Sequence, residues 1–203
     1  MRLFDSIGPN PHVVRMAAAE KGLVIDKVTL DIMAGENRSS DYAKRVPSGG
    51  TPALELDDGT LVSEILAIAE YFEDIQPNPP IIGSTPAERA VARMWTRRID
   101  LYICEPMANG FRASEGRPMF APRMTLVSEA AAAELKAIAA EKLLWLDGLM
   151  SGDFVCGNRF TIADILLFAF VQFGAAVGQP MPAAARWLPA WRDRVAARPS
   201  AAA

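Results

Sequence analysis

The sequence predicts an α/β module followed by an all-helical region, on three observations. Short β-rich and helical runs alternate over the first 75 residues in the order βαβαββα. The stretch Gln76-Pro77-Asn78-Pro79-Pro80 cannot continue a helix and has extended character. Every strong signal beyond it has helical spacing. The resulting boundaries are 1–75 for the α/β module, 76–84 for a linker and 85–203 for the helical domain.

The first module opens with a short strand at Arg2 to Asp5, apolar at Leu3 and Phe4. Asn10-Pro11 supplies an N-cap followed by proline at the first helical position, and Gly22 stops the run from Val13 to Lys21. Val24 to Leu30 is rich in β-branched residues and reads as the second strand. The polar run Glu36 to Val46 reads as the second helix, and Thr51-Pro52-Ala53-Leu54-Glu55-Leu56 as the third strand. Asp57-Asp58-Gly59 then turns the chain into a fourth strand at Thr60 to Val62. Ser63 caps a helix from Glu64 to Glu73, in which Ile65, Ile68, Ala69 and Phe72 recur at helical spacing.

In the second region Thr85-Pro86-Ala87-Glu88 forms a capping box, hydroxyl and carboxylate each satisfying a backbone N–H, at the start of a long helix to about Phe111. Leu135, Ile138, Leu143, Leu146 and Leu149 share one face of another helix, and Trp187 to Arg198 forms a last, shorter one. Phe160-Thr161-Ile162-Ala163-Asp164-Ile165 is a second box: Thr161 is the N-cap, Asp164 reaches back, and Phe160 staples onto Ile165. Its role is structural, folding a core helix without touching substrate.

Composition excludes several function classes. At 203 residues the chain can hide roughly 70% of the surface its unfolded form exposes, so folding needs neither metals nor disulfides. With 21 Lys+Arg against 24 Asp+Glu, it lacks the basic footprint of a nucleic-acid binder. Cys104 and Cys156 are too far apart in sequence to form a disulfide framework, a CxxC redox pair or a zinc knuckle, and no metal is expected. The apolar run Ile165 to Gly178 is too short to span a bilayer, and Asp5 falls where a secretory signal needs its apolar core. A cytoplasmic protein without membrane or nucleic-acid partners is expected.

Several motifs, in this order and spacing, resemble the cytosolic glutathione S-transferase family of bacterial type. They are Pro9-Asn10-Pro11 with Val14-Arg15-Met16 and Glu20-Lys21-Gly22, Thr51-Pro52-Ala53-Leu54, Ser63-Glu64 with Ala67-Ile68 and Tyr71, and the segment 160–165. The resemblance spans nearly the whole chain. It implies a thioredoxin-like first domain, a helical second domain lining a hydrophobic substrate site, a homodimer, a role in detoxification, and glutathione as co-substrate. It also implies a cis Thr51-Pro52 bond, with the Thr51 N–H and C=O pairing with the ligand backbone like an added strand. Glu64 then meets the γ-glutamyl ammonium of the ligand. A free thiol has a pKa near 8.5, and the unpaired N–H groups and positive dipole end of the first helix favour the thiolate.

Departures from the family pattern narrow the candidates. Gly8 stands where many members have Ser or Cys, and Phe4 stands about where others have Tyr. Gly50 replaces the Lys or Gln often found before the proline dipeptide, and Ile65 replaces a common serine. Ser6 and Asn10 are therefore the candidate hydrogen-bond donors to sulfur. Thr51, Pro52, Ser63, Glu64, His12 and Gly50 form the candidate glutathione-binding set, with Lys44 and Arg45 as substitutes for position 50 towards the glycine carboxylate. Tyr102, Met107, Phe111 and Arg112 are expected to line the site of the electrophile, with Met119, Phe120 and Met124 on a mobile rim.

The leading expectation is conjugation of the glutathione thiolate to small hydrophobic electrophiles. An alternative is a non-catalytic binder of glutathione or hydrophobic ligands that keeps the fold, suggested by Gly8, Gly50 and Ile65. A reductase or peroxidase using a protein cysteine is disfavoured, because neither Cys104 nor Cys156 lies at the first helix.

Overall fold

The computed structural model describes residues 1–203, which divide into two compact units: Met1–Ile82 with Pro199–Ala203, and Gly83–Arg198. In the first unit four short strands, β1 (Arg2–Asp5), β2 (Asp26–Thr29), β3 (Ala53–Glu55) and β4 (Leu61–Ser63), form one sheet in the order β2-β1-β3-β4. β1 runs parallel to β2 and antiparallel to β3, which pairs antiparallel with β4. The parallel pair needs a crossover, supplied by helix α1 (Pro9–Glu20). The βαβαββα order and the all-helical second unit agree with the sequence reading.

Alternation along β1 builds two layers. Leu3 and Phe4 are both buried but point to opposite faces of the sheet. Phe4 packs edge-on against Tyr42 of α2 (Ser40–Arg45), with ring centroids 5.5 Å apart, in a cluster with Val46 and Ala53. α1 packs against α3 (Ile65–Ile75), which contributes Ile68, Ala69 and Phe72 to the core. Near their carboxyl ends Lys21 and Glu73 form a fully buried ion pair. The Lys21 ammonium also donates to the Pro79 carbonyl at 2.6 Å, and the Glu73 carboxylate accepts the Ile81 and Ile82 N–H groups at 3.0 Å each.

Four boundaries differ from the sequence reading. α1 starts at Pro9 with Gly8 as its N-cap at φ 119°, so Asn10 lies inside the first turn and caps nothing. Two prolines there allow the earlier start, since each presets a helical φ and neither needs an N–H partner. The expected second helix divides into a 3₁₀ turn, Glu36–Arg38, and α2, whose N-cap Ser39 accepts from the Tyr42 N–H. Ser63 ends β4, paired with Ala53, and Glu64 takes the N-cap position of α3. Fully exposed Val24 lies outside β2.

In the second unit the long first helix is present with an interruption. α4 (Pro86–Ile99) opens on the Thr85/Glu88 capping box and passes through a π-helical turn, Asp100–Cys104, into α5 (Glu105–Arg112). Pro106 accounts for the wide turn: it has no N–H to donate, and its ring crowds the carbonyl four residues earlier. α6 (Arg117–Phe120) and α7 (Glu129–Leu149) follow. The core helix is α8 (Ile162–Ala176), and α9 (Trp187–Ala196) is the last. The Thr161/Asp164 box opens α8 as expected. The Asp164 carboxylate accepts from the N–H groups of Val155 at 2.8 Å and Thr161 at 2.9 Å, and from Trp191 Nε1 at 2.9 Å. Burial pushes its pKa up, against the pull of those bonds. No helix is long and apolar enough to cross a membrane.

Candidate functional site

The first unit gathers most of the predicted site residues around the carboxyl end of β1. Ser6 follows that strand and is buried, its Oγ 2.6 Å from Thr51 Oγ1 and 3.1 Å from the Ile7 carbonyl it donates to. The bond to Thr51 joins the loop before α1 to the loop before β3. Thr51-Pro52 is cis, as the resemblance implied. Asp5 is held by Arg15 of α1 at 2.6 Å, and the same guanidinium donates to the Ser6 carbonyl at 3.3 Å. Strand end and helix are thereby clamped together under the loop.

The amino end of α1 carries few N–H groups. Pro9 and Pro11 have none, and His12 N–H reaches the Gly8 carbonyl at 3.4 Å, so the Gly8 and Asn10 N–H groups are the donors of the first turn. The Asn10 side chain is half-buried and makes no hydrogen bond within the protein. Glu64 is exposed and adopts φ 72°, ψ 119°, the only non-glycine residue at positive φ. Such backbone costs about 1–3 kcal/mol and tends to mark ligand clamps.

Two residues of the predicted glutathione-binding set, His12 and Gly50, have partners within the protein. The His12 imidazole bonds the Ala201 carbonyl through Nε2 at 3.2 Å, and burial lowers its pKa. It therefore serves the short 3₁₀ segment Pro199–Ala202, which Arg15 also holds through the Ala203 carbonyl at 3.0 Å. Gly50 donates its N–H to Ser48 Oγ and accepts the Tyr42 hydroxyl at 2.7 Å, so both its main-chain groups have internal partners. Ser63 is exposed at the strand end beside Glu64. Arg45, a substitute for position 50, pairs with Glu55 and stacks over Phe4, and Lys44 approaches Asp41.

The predicted lining of the second unit divides into separate places. Tyr102 is exposed and packs edge-on to Trp145 at 5.8 Å. Phe111 meets Phe173 at 5.2 Å and Phe120 at 6.1 Å, and the Arg112 guanidinium lies 5.8 Å from the Phe120 ring centre. Met107 is buried in the core against Gly174 and is not at a surface. Its helical phase alone could not distinguish core from lining. Cys104 is fully buried with its thiol pKa pushed well up by burial, and burial also raises Cys156, so neither favours a thiolate. No group of side chains could hold a metal ion.

Sequence reading missed Asn37 and Tyr42. Asn37 Nδ2 donates to the Gly49 carbonyl at 2.6 Å, one residue before the carbonyl that Tyr42 holds. An aromatic residue alone in the polar run 36–46 was a signal of burial for Tyr42; nothing marked Asn37.

Comparison with known proteins gives one consistent result. The model named Glutathione S-transferase, N-terminal domain matches residues 7–75, and Glutathione S-transferase, C-terminal domain matches residues 115–199. Glutathione S-transferase 2 of Saccharomyces cerevisiae is 31% identical over 98% of this chain and 87% of its own length. Among solved structures, a glutathione S-transferase domain-containing protein of Marinobacter aquaeolei has a TM-score of 0.92 at 34% identity, over 99% of this chain and all of its own. A glutathione transferase homologue from Sulfitobacter, solved with bound glutathione, shares the fold at 23% identity with a TM-score of 0.81, covering 99% of this chain and 95% of its own.

Proposed function

Because this chain belongs to the glutathione S-transferase family, we propose that it binds glutathione on its first unit and transfers the thiolate to small hydrophobic electrophiles. The observation that supports this reading is the Ser6–Thr51 hydrogen bond, which ties the loop before α1 to the residue preceding the cis proline. Thr51 offers a backbone N–H and C=O to the cysteinyl part of the ligand, as an added strand would. Sulfur then meets the dipole end of α1, with the Gly8 and Asn10 N–H groups and the unpartnered Asn10 amide as donors. Glu64, exposed and free of internal partners, meets the γ-glutamyl ammonium. Ser6 acts through Thr51, since its hydroxyl is buried and already bonded. Within the second unit, the Phe111, Phe120 and Phe173 rings and Arg112 form an apolar and cationic cluster.

The test is calorimetric titration with glutathione, followed by conjugation assays on aryl halides, enones and epoxides. Saturable binding with turnover is expected; neither binding nor turnover would end the reading. Gly8 in place of a Ser or Cys, together with the buried and already bonded Ser6 hydroxyl, favours a second reading, a binder without turnover. Binding with no conjugation would establish it. We also propose a homodimer, supported by the exposed apolar residues Val91, Met94 and Leu101 along α4 and the turn after it. A concentration-independent monomer in sedimentation would refute that.

A further inference from the structure

Three consecutive residues before the cis proline are each held by a different side chain. The Gly49 carbonyl accepts from Asn37 Nδ2 at 2.6 Å, the Gly50 carbonyl accepts from the Tyr42 hydroxyl at 2.7 Å, and the Thr51 hydroxyl lies 2.6 Å from Ser6 Oγ. The holding side chains come from the 3₁₀ turn, from α2 and from the end of β1, and all three residues are buried. Gly49 is at φ 60°, and an added Cβ would stand 3.0 Å from the Asn37 carbonyl oxygen and from Arg38 Nη1. The turn is thus fixed in conformation as well as bonded. Loops are ordinarily mobile; this one has Gly49 buried, and Gly49, Gly50 and Thr51 are each anchored.

Stability alone accounts poorly for Asn37. Its Nδ2 makes one bond, yet its Oδ1 is buried without a partner. A net hydrogen bond contributes about 1 kcal/mol, whereas an unsatisfied buried acceptor costs about 1–3 kcal/mol. An apolar residue there would remove the stranded Oδ1 and strand the Gly49 carbonyl instead, so for stability the exchange comes out near even. Tyr42 is a dependable donor: burial pushes its phenol up to about 12, so it keeps its proton across the physiological range. Its ring packs on Phe4 independently of the hydroxyl.

We propose that Asn37 and Tyr42 are positioning residues that, with Ser6, hold the Gly49–Gly50 turn so that the Thr51 main chain is preorganised to pair with the glutathione backbone. This rests on the glutathione-binding reading above. Neither residue touches the ligand; each acts through the loop. Preorganisation lowers the entropy lost on binding, so loosening the loop weakens affinity and leaves the chemical step alone.

The test uses the full chain with Asn37→Ala and Tyr42→Phe, the second removing only the hydroxyl. Each should raise the Kd for glutathione by calorimetry, and the KM, roughly five- to tenfold, with kcat changed less than about twofold. Amide exchange in the peptide spanning 48–51 should quicken in both variants while the global urea midpoint stays within about 0.5 M of wild type. A purely structural role would move the midpoint and leave exchange at 48–51 in proportion to it. Unchanged exchange and unchanged Kd in both variants would overturn the inference while leaving glutathione binding intact. Wild-type protein that takes up no glutathione would overturn both.

Discussion

Lys21→Met should be among the most destabilising single changes in the first unit. The ammonium and the Glu73 carboxylate are 0% and 1% exposed, so neither can turn to water when the other is removed. The substitution leaves a buried carboxylate that has lost its countercharge while still accepting from the Ile81 and Ile82 N–H groups, and removes the donor to the Pro79 carbonyl. Breaking a buried pair from one side costs about 3–5 kcal/mol. With a urea slope of about 1–3 kcal/mol/M, the midpoint should fall by roughly 1–5 M. The double variant Lys21→Met/Glu73→Gln removes the stranded charge and keeps a carbonyl acceptor for one of the two N–H groups, so it should recover part of the loss. The assay is urea unfolding followed by far-UV circular dichroism together with tryptophan fluorescence. All four tryptophans, Trp95, Trp145, Trp187 and Trp191, belong to the second unit, so the loss should register in dichroism ahead of fluorescence. A midpoint within about 0.3 M of wild type for Lys21→Met would refute the reasoning, because it would mean the pair contributes no more than an exposed one.

Glu64→Gln keeps the shape of the clamp and removes its charge, so the Kd for glutathione should rise roughly tenfold by calorimetry with the urea midpoint unchanged. Asp164→Ala strips the acceptor from the Val155, Thr161 and Trp191 donors and should cost at least about 3 kcal/mol in urea unfolding. Burial raises the Asp164 pKa in the folded protein, so its titration contributes stability that is fully present below the ordinary carboxylate value and is lost as pH rises through the raised one. The stability difference between wild type and Asp164→Asn should therefore narrow over that rise. Glu115 behaves oppositely: hydrogen bonds from Lys136 and Ser114 lower its pKa to about 2, so its contribution holds above the ordinary value of 4.5 and is lost as pH falls towards 2. Because it is largely exposed, Lys136→Met should remove only a small acid-side slope in a pH series of melting curves, and that slope should vanish in high salt.

Periodicity and capping made the element order legible. Thr85/Glu88 and Thr161/Asp164 each combine a hydroxyl, a carboxylate three residues on and an apolar run, and both boxes form. Local rules failed at α1 and α3, where two residues compete for one cap. Asn10 is a better N-cap than Gly8 by side chain, but the prolines on either side extend the helix past it. At α3 the strand pairing of Ser63 with Ala53 claims the residue that would otherwise cap. Of the candidate site, the cis Thr51-Pro52 bond was legible, because it is written in a single dipeptide. The site was not legible where a role depends on what lies across space: His12 reaches a carbonyl 189 positions away. Met107 and Tyr102 share a helical region and an expected role, yet one is buried and the other exposed. Asn37, Tyr42 and Ser6 come from three stretches of chain, and no spacing rule connects them.

The two prolines at the start of α1 determine which anions that terminus suits. A phosphate or sulfate seeks three or four donors at once to satisfy its tetrahedron of oxygens, and an ordinary helix start can provide them. This one withholds half of that supply, since Pro9 and Pro11 have no hydrogen to give. What remains is a positive field with sparse directional demand. A large, polarisable sulfur anion loses little there, whereas a small oxyanion would leave much of its hydration unreplaced. Sulfate at cellular or buffer concentrations should accordingly be a poor competitor at this end.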